Sequence, residues 1–452
     1  MPIQLKRLIT KDKSFYKNLA SLSLPIGIQN LISFLMILTS NVTVGRVGES
    51  ATASAYVGTL TFTVLQMLST GVDGGISIAC SRYWGEGDKS KINKVLACGI
   101  YLSLGLSIPI TVTALVYPEA FVSLFLSSDV AAESAGYLRA IGPSFIPFVL
   151  SGAISSSLRS TGSPKIVTLS SATAFFVNLI FSYTLTFGKL GFAKQGIYGA
   201  ATAIVAARIA ELAVLIFYKL SIDKKLRCNA RGTYHADKKS FIEFMRYTSP
   251  VVLGQAVWII NTLFSSYLIS NVGNDSAVAA LSVTSTLNSL SYVFTNGLAG
   301  AVGIIIGKTI GEGRCKKIKE YSYTTQIIFI AIGIITSVSL LIVKHPFISL
   351  YNVGDESSKI AAQFISVLAV TVIGTSYQSA CLTGLVKSGG DVSFVLKNDA
   401  FFVFFAVIPL SVAAAKLSFP IWLVFLALKS DQILKCIPAA IKINRFRWIK
   451  KL

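Results

Sequence analysis

An acidic side chain stands inside an apolar, glycine-rich stretch of this sequence. The stretch reads STGVDGGISIACSRYWGEGDKSK over residues 69–91 and places Asp73 among Gly71, Gly74 and Gly75. A carboxylate at the centre of a lipid bilayer costs about 2.5–3.5 kcal/mol, so such a residue is a candidate for function. Removed from water, a carboxyl group exchanges protons closer to neutral pH. Asp73 is therefore a candidate for binding a coupling cation. The alternative is a carboxylate hydrated from the cytoplasmic side or paired with a loop lysine.

Two further acidic residues fall in apolar runs. Glu211 follows Arg208 by three residues, a spacing that places both side chains on one face of a helix. The pair is either a structural ion pair or one that switches with the coupling ion or substrate. Asp399 follows Asn398 at the predicted start of a helix, where both residue types commonly cap free N–H groups. Its alternative role is in binding a cation or substrate.

The sequence offers no arrangement of residues suited to covalent chemistry. The six cysteines lack CxxC spacing, and the two histidines, His235 and His345, fall in predicted loops far apart. A phosphate-binding P-loop sequence is also absent from the printed chain. We therefore expect no enzyme activity, no metal centre and no cofactor, and any energy for function comes from outside the chemistry of the protein itself.

The composition is that of a membrane protein. The chain has 452 residues, of which 53% are hydrophobic and 13% charged, and its mean hydropathy is +0.67. A soluble domain carries about 25% charged residues. Apolar runs long enough to span a bilayer predict an all-α polytopic fold of twelve transmembrane helices, over residues 20–44, 54–80, 95–117, 133–158, 166–188, 197–219, 250–271, 280–306, 321–343, 359–386, 398–415 and 419–441.

The net charge of +21 is explained by membrane topology. Lysine and arginine concentrate in the termini and in every second loop, as the positive-inside rule requires. The opposite side holds few basic residues, Arg46, Lys189, Lys194, Lys344 and Lys416. This distribution makes nucleic-acid binding an unnecessary explanation. It predicts a multi-pass protein of the inner (plasma) membrane with both termini in the cytoplasm.

The chain contains an internal duplication with an offset of about 226 residues. SLPIGIQNLISFLMILTSNVTVGRVG, from Ser23, aligns with SPVVLGQAVWIINTLFSSYLISNVG, from Ser249. The duplication predicts two six-helix lobes, residues 1–218 and 247–452, joined by a basic cytoplasmic linker, 219–246. An even number of helices in each lobe implies a pseudo-two-fold axis along the membrane normal. Asp73 aligns with Ala299 and Asp399 with Thr173, so the shared scaffold requires neither carboxylate.

Polar and aromatic residues follow the first and seventh predicted helices and a neighbouring helix. They are candidates for a substrate cavity, and the alternative is hydrogen bonding between helices. The set comprises Asn30, Ser33, Ser40, Asn41, Phe175, Asn178, Gln255, Trp258, Asn261 and Ser265. Aromatic faces suit organic cations. Pro25 and Pro250 occupy equivalent positions in both repeats and are candidates for hinges, because proline bends a helix.

Several ordered motifs resemble the multidrug and toxic compound extrusion (MATE) family. They are VGRVGESATASA, GEGDKSK, RSTGSPK, GIYGAATAIVAARIAE and LKSDQILKCIPAAIKINRFRWIKKL. The resemblance implies two six-helix lobes around a central cavity and antiport of organic compounds against H⁺ or Na⁺. Many members carry an aspartate five residues before the glycine that here is Gly45. This sequence has Ser40 there, with Asn41 beside it, so the coupling carboxylate lies elsewhere or coupling differs.

These features predict a secondary active antiporter that exports amphipathic organic compounds by alternating access. The expected partners are small organic substrates and membrane lipid, and the expected state is a monomer. A flippase for lipid-linked glycans is the alternative. It would require a strongly basic groove, and Arg139, Arg208 and Lys359 are too scattered along the predicted helices to form one.

The predicted topology can be tested by chemical labelling. A cysteine introduced as His235→Cys lies in the linker and should be protected from an impermeant thiol reagent added outside intact cells, then react after permeabilisation. Labelling of this position from outside would contradict the topology.

Overall fold

The architecture is helical throughout the part of the chain that the structure describes. A computed structural model gives residues 9–122, 131–223, 237–273, 275–351 and 354–450, and within them the one bridge between extended residues joins Gly390 to Ile449. Over the same residues, ten helices are long and apolar enough to cross a membrane. The predicted all-α polytopic membrane fold is confirmed.

The N-terminal half consists of long helices joined by short turns. Their bounds are α1 Lys13–Gly45, α2 Glu49–Glu86, α3 Lys89–Val116, the short α4 Pro118–Val122, α5 Ala131–Ile141, α6 Phe145–Ser160, α7 Pro164–Phe187 and α8 Ile197–Phe217. A 3₁₀ turn, Gly142–Ser144, joins α5 to α6, and a π-helical turn, Tyr218–Ile222, ends α8. The predicted linker falls largely outside the described residues, over 224–236.

The C-terminal half repeats this pattern until its last span. Its helices are α9 Lys238–Val272, α10 Asp275–Gly311, α11 Cys315–Ile348, α12 Asp355–Gln378, α13 Val392–Phe402, α14 Ile408–Lys416, α15 Ile421–Leu428, α16 Asp431–Leu434 and α17 Cys436–Asn444. π-Helical segments follow α12, over Ser379–Val386, and α13, over Val403–Val407. The twelfth predicted span, 419–441, was expected to be one helix, and it is broken into α15, α16 and α17.

The described chain divides into two compact units whose bounds differ from the predicted lobes. One unit is Ile28–Val252, and the other combines Met1–Gly27 with Leu253–Leu452. The chain therefore passes from one unit to the other within α1 and again within α9. The beginning of each of these helices belongs to the unit formed mostly by the other half of the sequence.

Glycines allow the beginnings of α1 and α9 to pack closely within the units that they join. The contact is of the same kind in both halves. A Cβ atom on Gly71 of α2 would lie 2.7 Å from the Cα atom of Val252 in α9. A Cβ atom on Gly297 of α10 would lie 2.8 Å from the main-chain nitrogen of Gly27 in α1. Only glycine permits such close helix approach. Because the two contacts involve equivalent positions, they confirm the duplication read from the sequence.

A carboxylate–lysine pair forms at the residue before α1 and at the residue before α9. Asp12 precedes α1 and accepts hydrogen bonds from Lys317 Nζ at 2.6 Å and Tyr321 Oη at 2.8 Å, both on α11. Asp237 precedes α9 and accepts one from Lys94 Nζ of α3 at 3.3 Å. The hydrogen bonds from Lys317 and Tyr321 lower the pKa of Asp12 from 3.8 to about 2. The ionised form of Asp12 is thus the one that ties the start of α1 to its unit.

The Asp12 contact predicts a stability that depends on pH. A lowered pKa in the folded state stabilises the fold above about pH 4, and the contribution is lost as the pH falls toward 2. We expect Asp12→Asn to lower the thermal unfolding midpoint of the purified protein at pH 7, and we expect the difference from wild type to shrink below about pH 4. Lys17→Gln, at an exposed site of α1, is the control. A difference that stays constant down to the lowest measurable pH would contradict this role.

Candidate functional site

Asp73 lies enclosed between α2 and α6. A Cβ atom on Gly152 of α6 would lie 2.7 Å from Asp73 Oδ2, and Ser156 Oγ donates a hydrogen bond of 2.6 Å to the main-chain carbonyl of Asp73. The buried Oδ1 atom accepts no hydrogen bond from the described part of the chain. Asp73 as a whole is half-buried, so its coupling role and the alternative of a carboxylate that is hydrated or paired with a loop lysine both stay predictions.

The glycines next to Asp73 in the sequence pack against α9, whereas its carboxylate contacts α6. Gly74 would place a Cβ atom 3.1 Å from Val251 of α9, and Gly75 would place one against the Thr248 hydroxyl of the same helix. These glycines therefore allow α9 to pack closely against α2. The space for the Asp73 carboxylate comes instead from Gly152, a residue of α6 that the sequence reading did not single out.

The cation beside Asp73 is Arg159, at the C-terminal end of α6. Its Nη1 atom donates a hydrogen bond of 2.9 Å to Gln29 Oε1 of α1, and its guanidinium interacts electrostatically with both Asp73 and Glu211. Sequence reasoning ended the fourth span at residue 158 and so placed Arg159 in a loop. The available signal was the duplication, since RSTG at 159–162 matches KSGG at 387–390.

The predicted pair of Arg208 and Glu211 on α8 is confirmed. Arg208 Nη1 lies 2.8 Å from Glu211 Oε2, and the two side chains are 11% and 8% exposed. Ser171 of α7 donates to Glu211 Oε1 at 3.1 Å, and the guanidinium lies 4.8 Å from the centre of the Phe148 ring. With Asp73 and Arg159, the pair forms a four-residue charge group, here called the N-unit quartet, whose formal charges sum to zero.

The polar candidates on α1 and α7 are only partly brought together. Ser40 Oγ donates to Asn178 Oδ1 at 3.4 Å, and the fully buried Asn178 has an Nδ2 atom without a hydrogen-bond partner among the described residues. Phe175 packs beside Met36 of α1. Asn30 and Ser33 are half-buried, and Asn41 is exposed. The first-helix position that carries an aspartate in many family members thus holds a Ser40–Asn178 hydrogen bond.

The candidates on α9 differ in what their side chains do. Ser265 Oγ donates to the main-chain carbonyl of Asn261 at 2.7 Å, a bond within the helix that favours a packing role. Asn261 is buried, and its Oδ1 accepts no hydrogen bond from the described residues. Gln255 is half-buried, and Trp258 is 40% exposed. Gln255, Trp258 and Asn261 remain candidates for ligand contact.

Asp399 is not a helix cap. Helix α13 begins at Val392, seven residues before Asp399, and the cap position belongs to Asp391, which pairs with Lys442 and Lys450 at 2.6 Å each. The capping interpretation is wrong because the helix extends beyond the apolar run that predicted it. The Asp399 carboxylate lies 3.0 Å from the ammonium of Lys435.

The two predicted hinge prolines lie inside continuous helices, Pro25 in α1 and Pro250 in α9. Each stands two residues before the boundary where its helix passes from one compact unit to the other, at Gly27 and Val252. Their role as hinges stays a prediction, and their equivalent placement in the two repeats supports it.

Paired charges and unsatisfied polar groups inside spanning helices, on a duplicated helical scaffold, are the features of a membrane transporter. The sequence profile of MatE matches residues 25–184 and 250–412, once in each repeat. The chain belongs to the MatE family of multi-pass membrane transporters.

Relatives and solved structures agree with this assignment. The probable multidrug resistance protein NorM of Brucella suis is 22% identical over 371 residues, which cover 80% of this chain and 78% of that protein. A MOP superfamily transporter from Pyrococcus furiosus superposes with a TM-score of 0.87 at 19% identity, covering 98% of this chain and 100% of that one. The Vibrio cholerae MATE transporter VcmN also superposes with a TM-score of 0.87, at 16% identity and with 96% and 97% coverage.

The buried pair on α8 predicts a strongly coupled effect on stability. Removing one partner leaves an uncompensated buried charge, so Arg208→Met should lower the free energy of unfolding by about 3 kcal/mol or more. Adding Glu211→Gln should recover most of that loss. The matched control is Arg139→Met, which breaks an exposed pair with Glu119 and should cost less than about 1 kcal/mol. Unfolding in mixed micelles measures all three, and equal losses for Arg208→Met and Arg139→Met would contradict the burial argument.

Proposed function

We propose that this protein is a secondary active antiporter that exports amphipathic organic compounds in exchange for protons by alternating access. The observation that carries the proposal is the enclosed Asp73 carboxylate, which lies beside Gly152 and interacts with the guanidinium of Arg159. It is the one acidic group of the N-unit quartet that has no bidentate or short ion pair of its own among the described residues, and it is therefore the group whose charge can change.

The charge balance of the quartet suggests how coupling works. With Asp73 ionised, its two carboxylates balance its two guanidinium groups. A proton on Asp73 leaves the quartet with one positive charge, which disfavours a cationic substrate nearby by several kcal/mol at low dielectric and short range. Proton and substrate cation are then alternative occupants of the N-terminal unit. Such mutual exclusion is the thermodynamic basis of antiport.

We propose a proton as coupling ion in preference to Na⁺ on the same geometry. A bound Na⁺ at Asp73 would be repelled by the neighbouring Arg159 guanidinium, whereas a proton becomes part of a neutral carboxyl group. The hydroxyls of Ser156 and Ser160 near α2 already donate to main-chain or hydroxyl oxygens, at 2.6 Å and 2.8 Å for their main-chain bonds. These contacts support a site that stores a proton on Asp73.

The remaining elements of the proposal concern location and movement. The protein would lie in the inner (plasma) membrane as a monomer with both termini in the cytoplasm, taking small organic compounds from the cytoplasm or from lipid. Asn30, Ser33, Gln255 and Trp258 would contact substrate. Pro25 and Pro250 would permit α1 and α9 to bend where the chain changes units.

A flippase for amphipathic lipids is the second candidate, and a specific observation favours it. The helices hold more cations than Arg139, Arg208 and Lys359, because α6 extends past Arg159 and the predicted twelfth span contains Lys429 and Lys435. Lys435 is in fact 1% exposed and lies within the predicted twelfth span. The Pyrococcus furiosus relative is described as having a binding pocket of reverse polarity that suggests a different function. Lipid transfer that continues without any ion gradient would favour this candidate.

The central test of the antiport proposal is Asp73→Asn in liposomes with an imposed pH gradient. The amide keeps the shape of the side chain and loses the titratable group, so gradient-driven efflux of fluorescent organic cations should be abolished while substrate binding stays measurable. Asp355→Asn, at the start of α12, is the control and should transport at the wild-type rate. Wild-type pumping by Asp73→Asn would contradict the assignment and would make the Arg208–Glu211 pair the next site to test.

A further inference from the structure

The last span of the C-terminal unit is broken, and its broken ends are held by a neighbouring helix. Between α15 and α17, the main-chain carbonyls of Asp431 and Gln432 accept hydrogen bonds from Gln378 Nε2 of α12, at 3.0 and 2.6 Å. Gly374 of α12 lies directly against the Gln432 carbonyl. In transporters, discontinuous helices whose polar groups are satisfied by neighbours occur where substrates or ions bind. The side chains around the break are therefore candidates for a binding site.

A buried lysine stands at this break between two carboxylates. Lys435 Nζ lies 3.0 Å from Asp399 Oδ1 of α13 and 3.0 Å from Asp431 Oδ2 of α16, and the lysine side chain is 2% exposed. Lys387 interacts electrostatically with Asp399, and Lys429 does so with Asp431. We call these five residues the C-unit cluster.

The charges of the C-unit cluster do not balance. Its three lysines and two aspartates leave one positive charge in excess, in contrast to the neutral N-unit quartet. Burying an uncompensated charge is costly, and the cost falls when an opposite charge arrives with good geometry. Two lysines would suffice to neutralise Asp399 and Asp431. Ion pairing with these two carboxylates therefore does not explain why a third lysine is present.

Aromatic surface adjoins the charged groups. The Lys435 ammonium lies 5.9 Å from the centre of the Trp258 ring, which belongs to α9 and is 40% exposed. A site with excess positive charge beside a flat apolar face matches a compound with an aromatic body and an acidic substituent.

We propose that the C-unit cluster binds the acidic group, a carboxylate or a phosphate, of an amphipathic organic substrate. Lys435 forms the centre of this site, and Lys387 and Lys429 supply the excess charge. This inference rests on the proposed function in taking the exported compound as ligand, and it extends the substrate class from organic cations to zwitterions and organic acids.

Binding of a matched pair of dyes tests the site without any gradient. Rhodamine B carries a free carboxylate, and its ethyl ester has the same ring system without that charge. We expect the purified full chain in neutral detergent to bind rhodamine B about tenfold more tightly than the ester, as measured by fluorescence polarisation. Lys435→Met should reduce that ratio to about one by weakening rhodamine B alone. Equal affinities for the two dyes in the wild-type protein would overturn the proposal.

Two further variants separate binding from folding. Lys429→Met removes the excess charge but keeps Lys435 between its two carboxylates, so it should lower the ratio several-fold with an unchanged unfolding midpoint. Lys416→Met, at the exposed end of α14, is the matched control and should keep the wild-type ratio. If Lys435→Met and Lys429→Met each weaken the binding of both dyes by the same factor, the affinity ratio stays at its wild-type value. In that case the cluster is structural and the proposal fails.

Competition distinguishes a lipid headgroup from an organic substrate. Dihexanoyl phosphatidylglycerol should not displace rhodamine B at concentrations below its micelle formation. Displacement that disappears in Lys435→Met would assign the site to lipid and contradict the proposal. Because these measurements need no transport, a protein that fails proton-driven efflux but keeps the dye ratio refutes the proposed antiport and not the anion site.

Discussion

A charged side chain within a bilayer needs an oppositely charged partner inside the protein. This constraint determines how the helices of both units pack. In the N-terminal unit, Asp73 finds Arg159 across the α2–α6 interface, and Glu211 finds Arg208 one helical turn away. The first arrangement needs two helices that approach closely, and Gly152 permits that approach beside Asp73. In the C-terminal unit, Lys435 satisfies two carboxylates at once. Packing and electrostatics are therefore inseparable in both units.

The helical scaffold occurs twice in the chain, whereas the carboxylates proposed for function occur in one repeat each. Contacts required by the fold occur twice, as in Gly71 against Val252 and Gly297 against Gly27. Among the charged groups proposed for function, Arg159 and Lys387 occupy matching positions, whereas the carboxylates do not recur, since Asp73 aligns with Ala299 and Asp399 with Thr173.

Sequence reasoning succeeded where the determining interaction is local. Hydropathy located the spanning helices, the duplication predicted a repeated helical architecture, and the spacing of three residues predicted the Arg208–Glu211 pair. It failed where a distant residue decides the outcome. The break between α15 and α17 depends on hydrogen bonds from Gln378, and the partner of Asp73 lies on another helix. Asp399 was misread as a possible cap because Lys397, Asn398 and Asp399 interrupt the apolar run, whereas α13 begins at Val392 and continues through them.

The claim that Asp73 carries the exchanged proton can be tested most directly by counting protons at equilibrium. Purified protein in weakly buffered detergent solution is titrated with a saturating organic cation between about pH 6 and 8, and the released protons are measured with a pH indicator. The account predicts release of up to about one proton per bound cation by the wild-type protein and none by Asp73→Asn, with binding retained in both. Equal proton release by the two proteins would contradict it.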